Sequence, residues 1–508
     1  MNLLHWFIFA LYIAGCMVNG LRWSRIAQRE HYIPGSVLKF YIRWIKLNKI
    51  NYLILIIIFI FIFLSLIYEL ASFVVIFLLV IFPYGLTYAS RTSAVKITSR
   101  LKRCFFVYIL FITLISALSL VNNLGYFGGL VSLLFSFYIF DRSLKLMFNI
   151  EKRLSNVYIE SATEELSKFK GPIIAITGSY SKTTTKEVLV QILNNQSNIF
   201  STPSSFNNRL GIARAINDHD MSKSEIAVIE MGTYGKGEIK EICSWVRPHI
   251  SVITGIGPVH LERMKTYENI LDAKSEIVDY AGAVVINGDD KILIERARTW
   301  LNTKQIVDCS IESDQALVYV NFELGMHTVY LKGKEICKIH APEVQQLSIA
   351  LSIGVLYVLD QDINTLLEEP LKLDSVKHRQ SITEGKKGQK IIDNTFNSNP
   401  YSVLSSLKLL EELASRESRL WLVTPGMVEL GSEQFTLNVA FANEAANIVE
   451  GVIIVGLTNK KALRLGFVDS DVDIRYVNNR NEAVKILDSF VNESCVVLFE
   501  NDLPDHYP

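Results

Sequence analysis

The chain has 508 residues, a formal net charge of zero at pH 7 and a composition in which half of the residues are hydrophobic. The balanced charge gives no sign of a nucleic-acid-binding protein, which would carry an excess of Lys and Arg. Six cysteines are present without a C-x-x-C pair, which argues against a zinc ribbon, a thioredoxin-like redox pair and a disulfide framework.

The first 140 residues contain five apolar stretches that approach the length of about 20 residues needed for a helix to cross a bilayer. These stretches are residues 3–19, 51–68, 70–90, 104–121 and 124–140. The first one lacks the basic start and the small-residue cleavage pattern of a signal peptide. We therefore predict an all-α transmembrane bundle of about five helices within residues 1–145.

Lys and Arg are concentrated in three connecting segments, residues 20–50, 91–103 and 142–153, whereas the turns near Glu69 and Asn122 have neither residue. Loops rich in Lys and Arg stay on the cytoplasmic side of a membrane. Five crossings then place the N-terminus outside and residues 141–508 in the cytoplasm, so we expect a multi-pass protein of the cell membrane. We interpret the 20–50 segment as an anchor at the membrane surface rather than as a site for a lipid head group.

From Gly171 onward, apolar runs typical of strands alternate with helical patterns. The runs are residues 173–177, 226–231, 250–254 and 283–287 in a first series, and 390–395, 420–424, 451–456, 473–477 and 495–500 in a second. Such runs favour parallel strands covered on both faces, whereas period-two alternation over 316–339 predicts a small antiparallel addition. We predict an α/β fold with two doubly wound domains, residues 146–370 and 371–508.

Residues 173–187 predict a phosphate-binding loop between a strand and a helix. Backbone N–H groups and the helix N-terminus would face nucleotide phosphates, Lys182 would reach the β and γ oxygens, and Thr183 would meet Mg²⁺. Ser181 stands where such loops usually have glycine, and serine tolerates a positive φ less well. Taken alone, this segment is also compatible with a plain strand–helix turn that carries an incidental Lys-Thr pair.

Further motifs follow in a fixed order. They are Thr202–Gly211, Val228–Gly232, Val246–Glu262, Asp272–Ile277, Val285–Asp290, His378–Arg379, Ile392–Pro400 and Pro425–Gly431. Over residues 170–460 this series resembles the Mur ligases of peptidoglycan synthesis, in particular their D-alanyl-D-alanine-adding branch. The resemblance implies a P-loop central domain, a Rossmann-like C-terminal domain and an ATP- and Mg²⁺-dependent enzyme that forms amide bonds.

The resemblance also implies roles for individual residues. ATP would contact Gly178, Ser179, Tyr180, Ser181, Lys182, Thr183, Thr184, Asn287, Arg379 and Asp393. Mg²⁺ would be held by Thr183, Glu230, His260 and Lys274, the last of these after carbamylation. Lys182, His260, Lys274 and Arg379 would serve catalysis, and Asn207, Asn208, Asn397 and Asn399 would bind the substrates. A carboxylate would attack the γ-phosphate, and an amino-acid or dipeptide amine would then attack the acyl phosphate.

The sequence departs from the family pattern at several places. Gly255 stands where the family usually has Asn, and Pro342-Glu343 stands where it usually has His-Asn. Apolar stretches occupy the place of the N-terminal domain that grips the UDP of the soluble precursor, so we expect a lipid-linked carboxylate substrate. Two alternatives stay open, namely a polyglutamate-type ligase and a non-catalytic ATP-binding membrane sensor.

Overall fold

The computed structural model describes residues 3–88, 95–194, 197–203, 206–363, 371–374, 376, 379–396, 398–415, 417–503 and 507. It contains two compact units. The helical unit comprises Met1–Ser155, Gly456–Thr458 and Leu503–Pro508, and the α/β unit comprises Asn156–Val455 and Asn459–Asp502.

Seven helices form most of the helical unit. They are α1 (Leu3–Arg29), α2 (Ser36–Leu47), α3 (Ile50–Ser65), α4 (Ala71–Ile81), α5 (Ser99–Val121), α6 (Phe127–Leu134) and α7 (Ser136–Leu154). Among the described residues, α1 and α5 are long and apolar enough to cross a membrane. Two further pairs of helices pass the same test together, but they are bent by 105° (α2 with α3) and by 73° (α6 with the helical stretch that begins at Ser136).

The predicted bundle of five spans is therefore not confirmed, because the described helices supply two spans, or four if each bent pair counts as one. The apolar stretch 70–90 shows why. Its helix, α4, has 11 residues and a length of only about 16 Å, since it ends just before Pro83. The predicted 20–50 loop is mostly helical as well, because α1 continues to Arg29 and α2 follows.

Arg22, one of the basic residues of that segment, is buried rather than placed at a surface. Its guanidinium donates hydrogen bonds to the carbonyl oxygens of Val80 and Phe82, at 2.9 and 2.6 Å. These carbonyls lie at the C-terminal end of α4, where the helix cannot satisfy its own acceptors. Arg22 therefore caps α4.

The α/β unit contains a ten-stranded sheet in the order β10-β9-β8-β7-β6-β5-β4-β1-β3-β2. Its strands are β1 (Ile173–Thr177), β2 (Ile199–Ser201), β3 (Ile226–Glu230), β4 (Ile250–Ile253), β5 (Ala283–Asn287), β6 (Gln305–Ser310), β7 (Val318–Glu323), β8 (Met326–Leu331), β9 (Lys334–His340) and β10 (Leu371–Lys372). Strands β1 to β6 are parallel, and β7, β8 and β9 form the predicted antiparallel addition.

Helices surround this sheet and bury its apolar strands on both faces. They are α8 (Asn156–Lys168), α9 (Lys182–Leu193), α10 (Arg209–Asn217), α11 (Glu238–Val246), α12 (Leu261–Met264), α13 (Tyr267–Ser275), α14 (Lys291–Ala297) and α15 (Gln346–Val358). Strand β1 lies between β3 and β4, so the chain order reverses beside it. A crevice at the carboxyl ends of the strands is expected at such a point.

A second, six-stranded sheet has the order β11-β12-β16-β13-β14-β15 and is parallel except at β11. Its strands are β11 (Ser381–Glu384), β12 (Lys390–Asn394), β13 (Arg419–Thr424), β14 (Gly451–Val455), β15 (Asp473–Val477) and β16 (Cys495–Glu500). Its helices are α16 (Pro400–Glu412), α17 (Gln434–Ala446), α18 (Lys460–Gly466) and α19 (Arg480–Asp488). The two mixed sheets agree with the predicted α/β fold.

Candidate active site

The loop between β1 and α9 lies at the carboxyl end of β1 and requires unusual backbone conformations. Gly178 has φ +152°, and a Cβ atom there would lie 1.9 Å from Thr254 Oγ1, so only glycine fits. Ser181 has φ +57° and begins α9 in the left-handed region, which disfavours a non-glycine residue by roughly 1–2 kcal/mol. The serine therefore adopts the conformation for which such loops usually have glycine.

Two lysines converge on one carbonyl of this loop. The Nζ atoms of Lys182 and Lys274 donate to the Gly178 oxygen at 2.7 and 2.8 Å. Burial lowers the pKa of Lys182 and lowers that of Lys274 well below its ordinary value, and the neighbouring lysine charge lowers the Lys274 pKa further. Two ammonium groups this close repel each other, so the arrangement favours a neutral amine at Lys274 and attracts anions.

Glu230, the last residue of β3, lies beside the first turn of α9. Its Oε2 accepts a hydrogen bond from the Thr183 hydroxyl at 2.9 Å, and its Oε1 accepts one from the Asn207 amide at 2.9 Å. Lys186 Nζ is 3.9 Å from Oε2 and donates to the Thr202 carbonyl. The Glu230 carboxylate, at the end of β3, is thus held in place by residues of α9 and of the segment that precedes α10.

His260 contacts Glu429, a residue that was not among the predicted site residues. Its Nδ1 lies 2.5 Å from Glu429 Oε2, and the two residues are 169 positions apart in the chain. Burial lowers the His260 pKa, and the Glu429 carboxylate opposes that change. Arg263 also contacts Glu429, at 3.5 Å. Glu429 belongs to the quoted Pro425–Gly431 motif, but no local pattern connects it with His260.

A second missed residue is Tyr401, on α16. Its ring stacks on the Tyr180 ring with centroids 5.1 Å apart and planes 15° apart. A Cβ atom at Gly255 would lie 2.2 Å from the Tyr180 hydroxyl oxygen, so the departure at Gly255 makes room for this phenol. The Tyr180 hydroxyl also interacts with Asn287, and Asn287 Nδ2 donates to the Thr254 carbonyl at 3.3 Å.

Arg379 and Asp393, the two predicted ATP contacts from the C-terminal part of the chain, lie in different surroundings. Arg379 donates to the Phe396 carbonyl at 3.1 Å and lies over the Phe396 ring. Burial lowers its pKa, and the charge of Glu230 opposes that change. Asp393 accepts hydrogen bonds from Thr395 within its own loop.

Two of the residues predicted to bind substrates, Asn208 and Asn399, cap the N-termini of helices. Asn208 caps α10 by accepting from Gly211 N, and Asn399 caps α16 by accepting from Tyr401 N and Ser402 N. Asn397 lies outside the described residues. The other loop residues, Ser179 and Thr184, lie in the phosphate loop and the first turn of α9, and Ser179 exchanges hydrogen bonds with Gly257.

The Mg²⁺ assignment fits one part of this site. The oxygens of Thr183 and Glu230 are 2.9 Å apart, which is the separation of two ligands at about 2.1 Å and right angles in an octahedral Mg²⁺ site. Among the described residues, no group of three His, Cys, Asp or Glu side chains has the arrangement of a metal site. His260 and the Lys274 amine therefore complete a second site only if Lys274 becomes a carboxylate ligand.

Comparison with known proteins gives the same interpretation. Residues 176–352 match the Mur ligase middle domain. The chain carries a Mur ligase middle domain. This domain contains the phosphate loop, both lysines, Glu230 and His260, which confirms the predicted family.

Curated relatives and solved structures extend the similarity beyond the Mur ligase middle domain. The UDP-N-acetylmuramoyl-tripeptide–D-alanyl-D-alanine ligase of Bacillus subtilis is 28% identical over 277 residues, 52% of this chain and 58% of the relative. That of Mycobacterium tuberculosis H37Rv is 26% identical over 305 residues, 56% and 58%. The chain thus spans 58% of the length of these relatives.

MurF from Thermotoga maritima in complex with ADP has a TM-score of 0.58 and 25% identity, covering 68% of this chain and 80% of that one. A bifunctional folylpolyglutamate synthase/dihydrofolate synthase from Yersinia pestis has a TM-score of 0.53 and 15% identity, covering 69% and 90%. The second similarity shows a shared fold alone.

Proposed function

We propose that this protein is a membrane-anchored, ATP-dependent ligase that joins a carboxylate to an amine through an acyl phosphate, in cell-envelope biosynthesis of the peptidoglycan type. The observation that carries the proposal is the convergence of Lys182 and Lys274 on Gly178, beside Glu230 and the N-terminus of α9, within a Mur ligase middle domain. The Lys182 ammonium group and the N-terminus of a helix at one place suit the β- and γ-phosphates of ATP.

In this proposal, Lys182 and Arg379 stabilise the negative charge that spreads over the γ-phosphoryl group while the substrate carboxylate attacks it. Their pKa values are lowered by burial, and a phosphate between them would favour their charged forms. The phosphoryl group leaves ADP and forms an acyl phosphate. The amine nitrogen then forms a bond with the acyl carbon, and inorganic phosphate leaves.

Thr183 and Glu230 would hold Mg²⁺, which supplies charge neutralisation at the phosphates. Lys274 has the chemistry needed for carbamylation, because only a neutral amine adds to CO₂ and burial lowers the pKa of this lysine. The addition forms a N–C bond, releases one proton and leaves a carboxylate in place of the amine. Incubation with ¹³C-bicarbonate and a carbamate resonance that is lost in Lys274→Ala would support this assignment.

Contacts from the second sheet of the α/β unit support a closed reaction site. Glu429 contacts His260, and Tyr401 stacks on Tyr180, so residues of the domain that contains the second sheet lie next to the phosphate loop and His260. Closure matters for this chemistry because an acyl phosphate hydrolyses readily when water has access. The amine would enter from the side of the Asn399 loop, at the carboxyl ends of β12 and β16.

The substrates are the part of the proposal that differs from the relatives. The relatives are named for UDP-N-acetylmuramoyl-tripeptide and D-alanyl-D-alanine. In this chain the described residues ahead of the matched domain include two helices, α1 and α5, that are long and apolar enough to cross a membrane. We therefore propose a lipid-linked carboxylate that is presented at the cytoplasmic face of the cell membrane.

ADP release by the purified full-length protein tests the activity. The acceptors are UDP-muramoyl-tripeptide with D-alanyl-D-alanine, glutamate with poly-γ-glutamate, and a fractionated lipid extract with D-alanyl-D-alanine. We expect turnover with the lipid fraction that is lost in Lys182→Ala. Equal activity on the soluble UDP-peptide contradicts the lipid-linked substrate, stimulation by glutamate favours the polyglutamate-type ligase, and no stimulation by any acceptor favours the sensor.

A further inference from the structure

A groove of about 600 Å³ lies in the helical unit and is lined by side chains of α5 and α7. Its walls are apolar and include Phe111, Ile115, Ile139 and Leu146. Its size is that of a site for a small molecule or for part of a lipid. None of its residues belongs to the catalytic site described above.

Two cations lie among these apolar walls. Arg142 and Lys145 line the groove, and they lie on one face of α7 because they are three positions apart. The lining contains no acidic residue. Cations in the midst of apolar helix surfaces call for an anionic partner, because an ionised group in an apolar environment is unfavourable when it is alone.

The protein supplies little to neutralise these two charges. Arg142 approaches Asp141 at 3.8 Å, but that carboxylate already accepts hydrogen bonds from the backbone N–H groups of Gly35 and Val37, at 3.0 and 3.2 Å. The buried Nε atom of Arg142 has no hydrogen-bond partner within the described part of the chain. The Arg142 guanidinium lies over the Tyr138 ring, with its Cζ atom 4.8 Å from the ring centroid.

The neighbouring acid is also engaged. Glu151, nine residues after Arg142 on α7 and so about 14 Å along the helix, forms a two-bond pair with Arg103 of α5, at 2.5 and 2.7 Å. This pair joins α5 to α7, and neither of its residues lines the groove. Lys145 and Arg142 therefore lie about two and two and a half turns before Glu151 on α7, too far along the helix for that carboxylate to neutralise them.

We propose that this groove binds one anionic phospholipid of the surrounding bilayer, with its phosphate at Arg142 and Lys145 and one acyl chain along Phe111, Ile115 and Leu146. Charge complementarity selects an anionic head group, and the apolar walls select a hydrocarbon chain. The inference rests on the proposed membrane location but not on the ligase activity.

The test is the lipid retained by full-length protein purified in detergent that contains equal amounts of dioleoyl phosphatidylglycerol and dioleoyl phosphatidylcholine, measured by native mass spectrometry. We expect about one retained phosphatidylglycerol per chain. The Arg142→Gln/Lys145→Gln variant should lose most of that preference. A matched control, Lys102→Gln/Arg153→Gln, removes the same two charge types from exposed positions of α5 and α7 and should keep it.

A second variant tests the groove independently, in case the Arg142→Gln/Lys145→Gln variant misfolds. Leu146→Trp keeps both cations but fills the groove, and it should reduce retained phosphatidylglycerol while the gel-filtration profile stays that of the wild type. Equal retention of both lipids by the wild type, or equal retention by the Gln double variant and its control, overturns the proposal. Resistance of the wild type to extraction by alkaline carbonate is measured separately, so that failure of the membrane location is distinguishable from failure of the lipid site.

Discussion

The helical unit and the α/β unit place the same kinds of residue in opposite environments. Phe59 and Phe63 of α3 have 61% and 65% of their surface exposed, whereas Ile174 and Ile176 of β1 are fully buried. A helix with apolar residues on its exterior is unfavourable in water and favourable in hydrocarbon. This difference supports the proposed membrane location, in which the exterior of α3 would contact hydrocarbon and the surface of the α/β unit would contact water.

Buried cations show a second difference. Arg22 and Lys274 are each 1% exposed. Arg22 donates to two carbonyl groups at the end of α4, so its task is to complete a helix. Lys274 and Lys182 both donate to the Gly178 carbonyl oxygen. The nearby positive charge of Lys182 destabilises the charged form of Lys274.

The largest effect should come from removing the charge at the phosphate loop. Lys182→Ala is expected to lower kcat by about 10²–10³-fold, the usual loss when one group that stabilises transition-state charge is removed. ADP release under saturating ATP measures it. Lys291→Ala, which removes an exposed lysine from α14, is the control and should leave kcat unchanged. Equal rates in the two variants would show that Lys182 is not part of the site.

The contrast in solvent is tested by adding a charge to each unit. Phe63→Lys should disfavour membrane insertion by about 3 kcal/mol if α3 lies in hydrocarbon. The readout is the fraction of full-length protein that resists alkaline carbonate. Val468→Lys introduces the same charge at a residue of the α/β unit that is 60% exposed and should change neither extraction nor stability. An unchanged carbonate-resistant fraction for Phe63→Lys would break the comparison.

The α/β unit also buries an acidic side chain, that of Glu500. Glu500 is fully buried at the end of β16, and burial raises its pKa from 4.5 to about 7. Since the folded protein binds the proton more tightly, its contribution favours folding below pH 4.5 and is lost as the pH rises through 7. The loss amounts to at most about 3 kcal/mol.

Glu500→Gln should therefore flatten the pH dependence of unfolding between pH 4.5 and 8, because glutamine does not ionise. Urea denaturation of the two proteins at several pH values, followed by tryptophan fluorescence, measures the difference. Ser398 and Asn394 now donate to this carboxylate, and glutamine still offers one acceptor oxygen. Parallel stability curves for wild type and variant would contradict the buried ionisation.

The smallest expected effect concerns the stacked tyrosines. Tyr401→Ala removes a stacking contact of about 1 kcal/mol, so KM for ATP should rise about fivefold while kcat changes less. Tyr401→Phe keeps the ring and should behave like the wild type. If Tyr401→Phe is as impaired as Tyr401→Ala, the hydroxyl rather than the stack is responsible.

Much of the α/β unit follows from local sequence. The apolar runs from Ile173 to Thr177 and from Ile226 to Glu230 are strands as predicted, because β-branched residues suit a sheet covered on both faces. The antiparallel addition over β7, β8 and β9 also follows from its alternation. Lys182 and Thr183 belong to the same local pattern, since a strand, a tight loop and a helix place them without help from distant residues.

Tertiary structure alone decided the contacts between distant segments. Glu429 meets His260 and Tyr401 meets Tyr180 only because the second sheet packs against the first, and no spacing within either segment indicates it. The number of apolar spans was likewise decided by where helices break, as at the end of α4, rather than by hydropathy. Hydrophobic periodicity and loop chemistry are properties of neighbouring residues, so the sequence by itself determined the main strands of the α/β unit, the family and the phosphate loop. The partners of His260, Lys274 and Tyr180 depend on long-range packing, which only the folded chain contains.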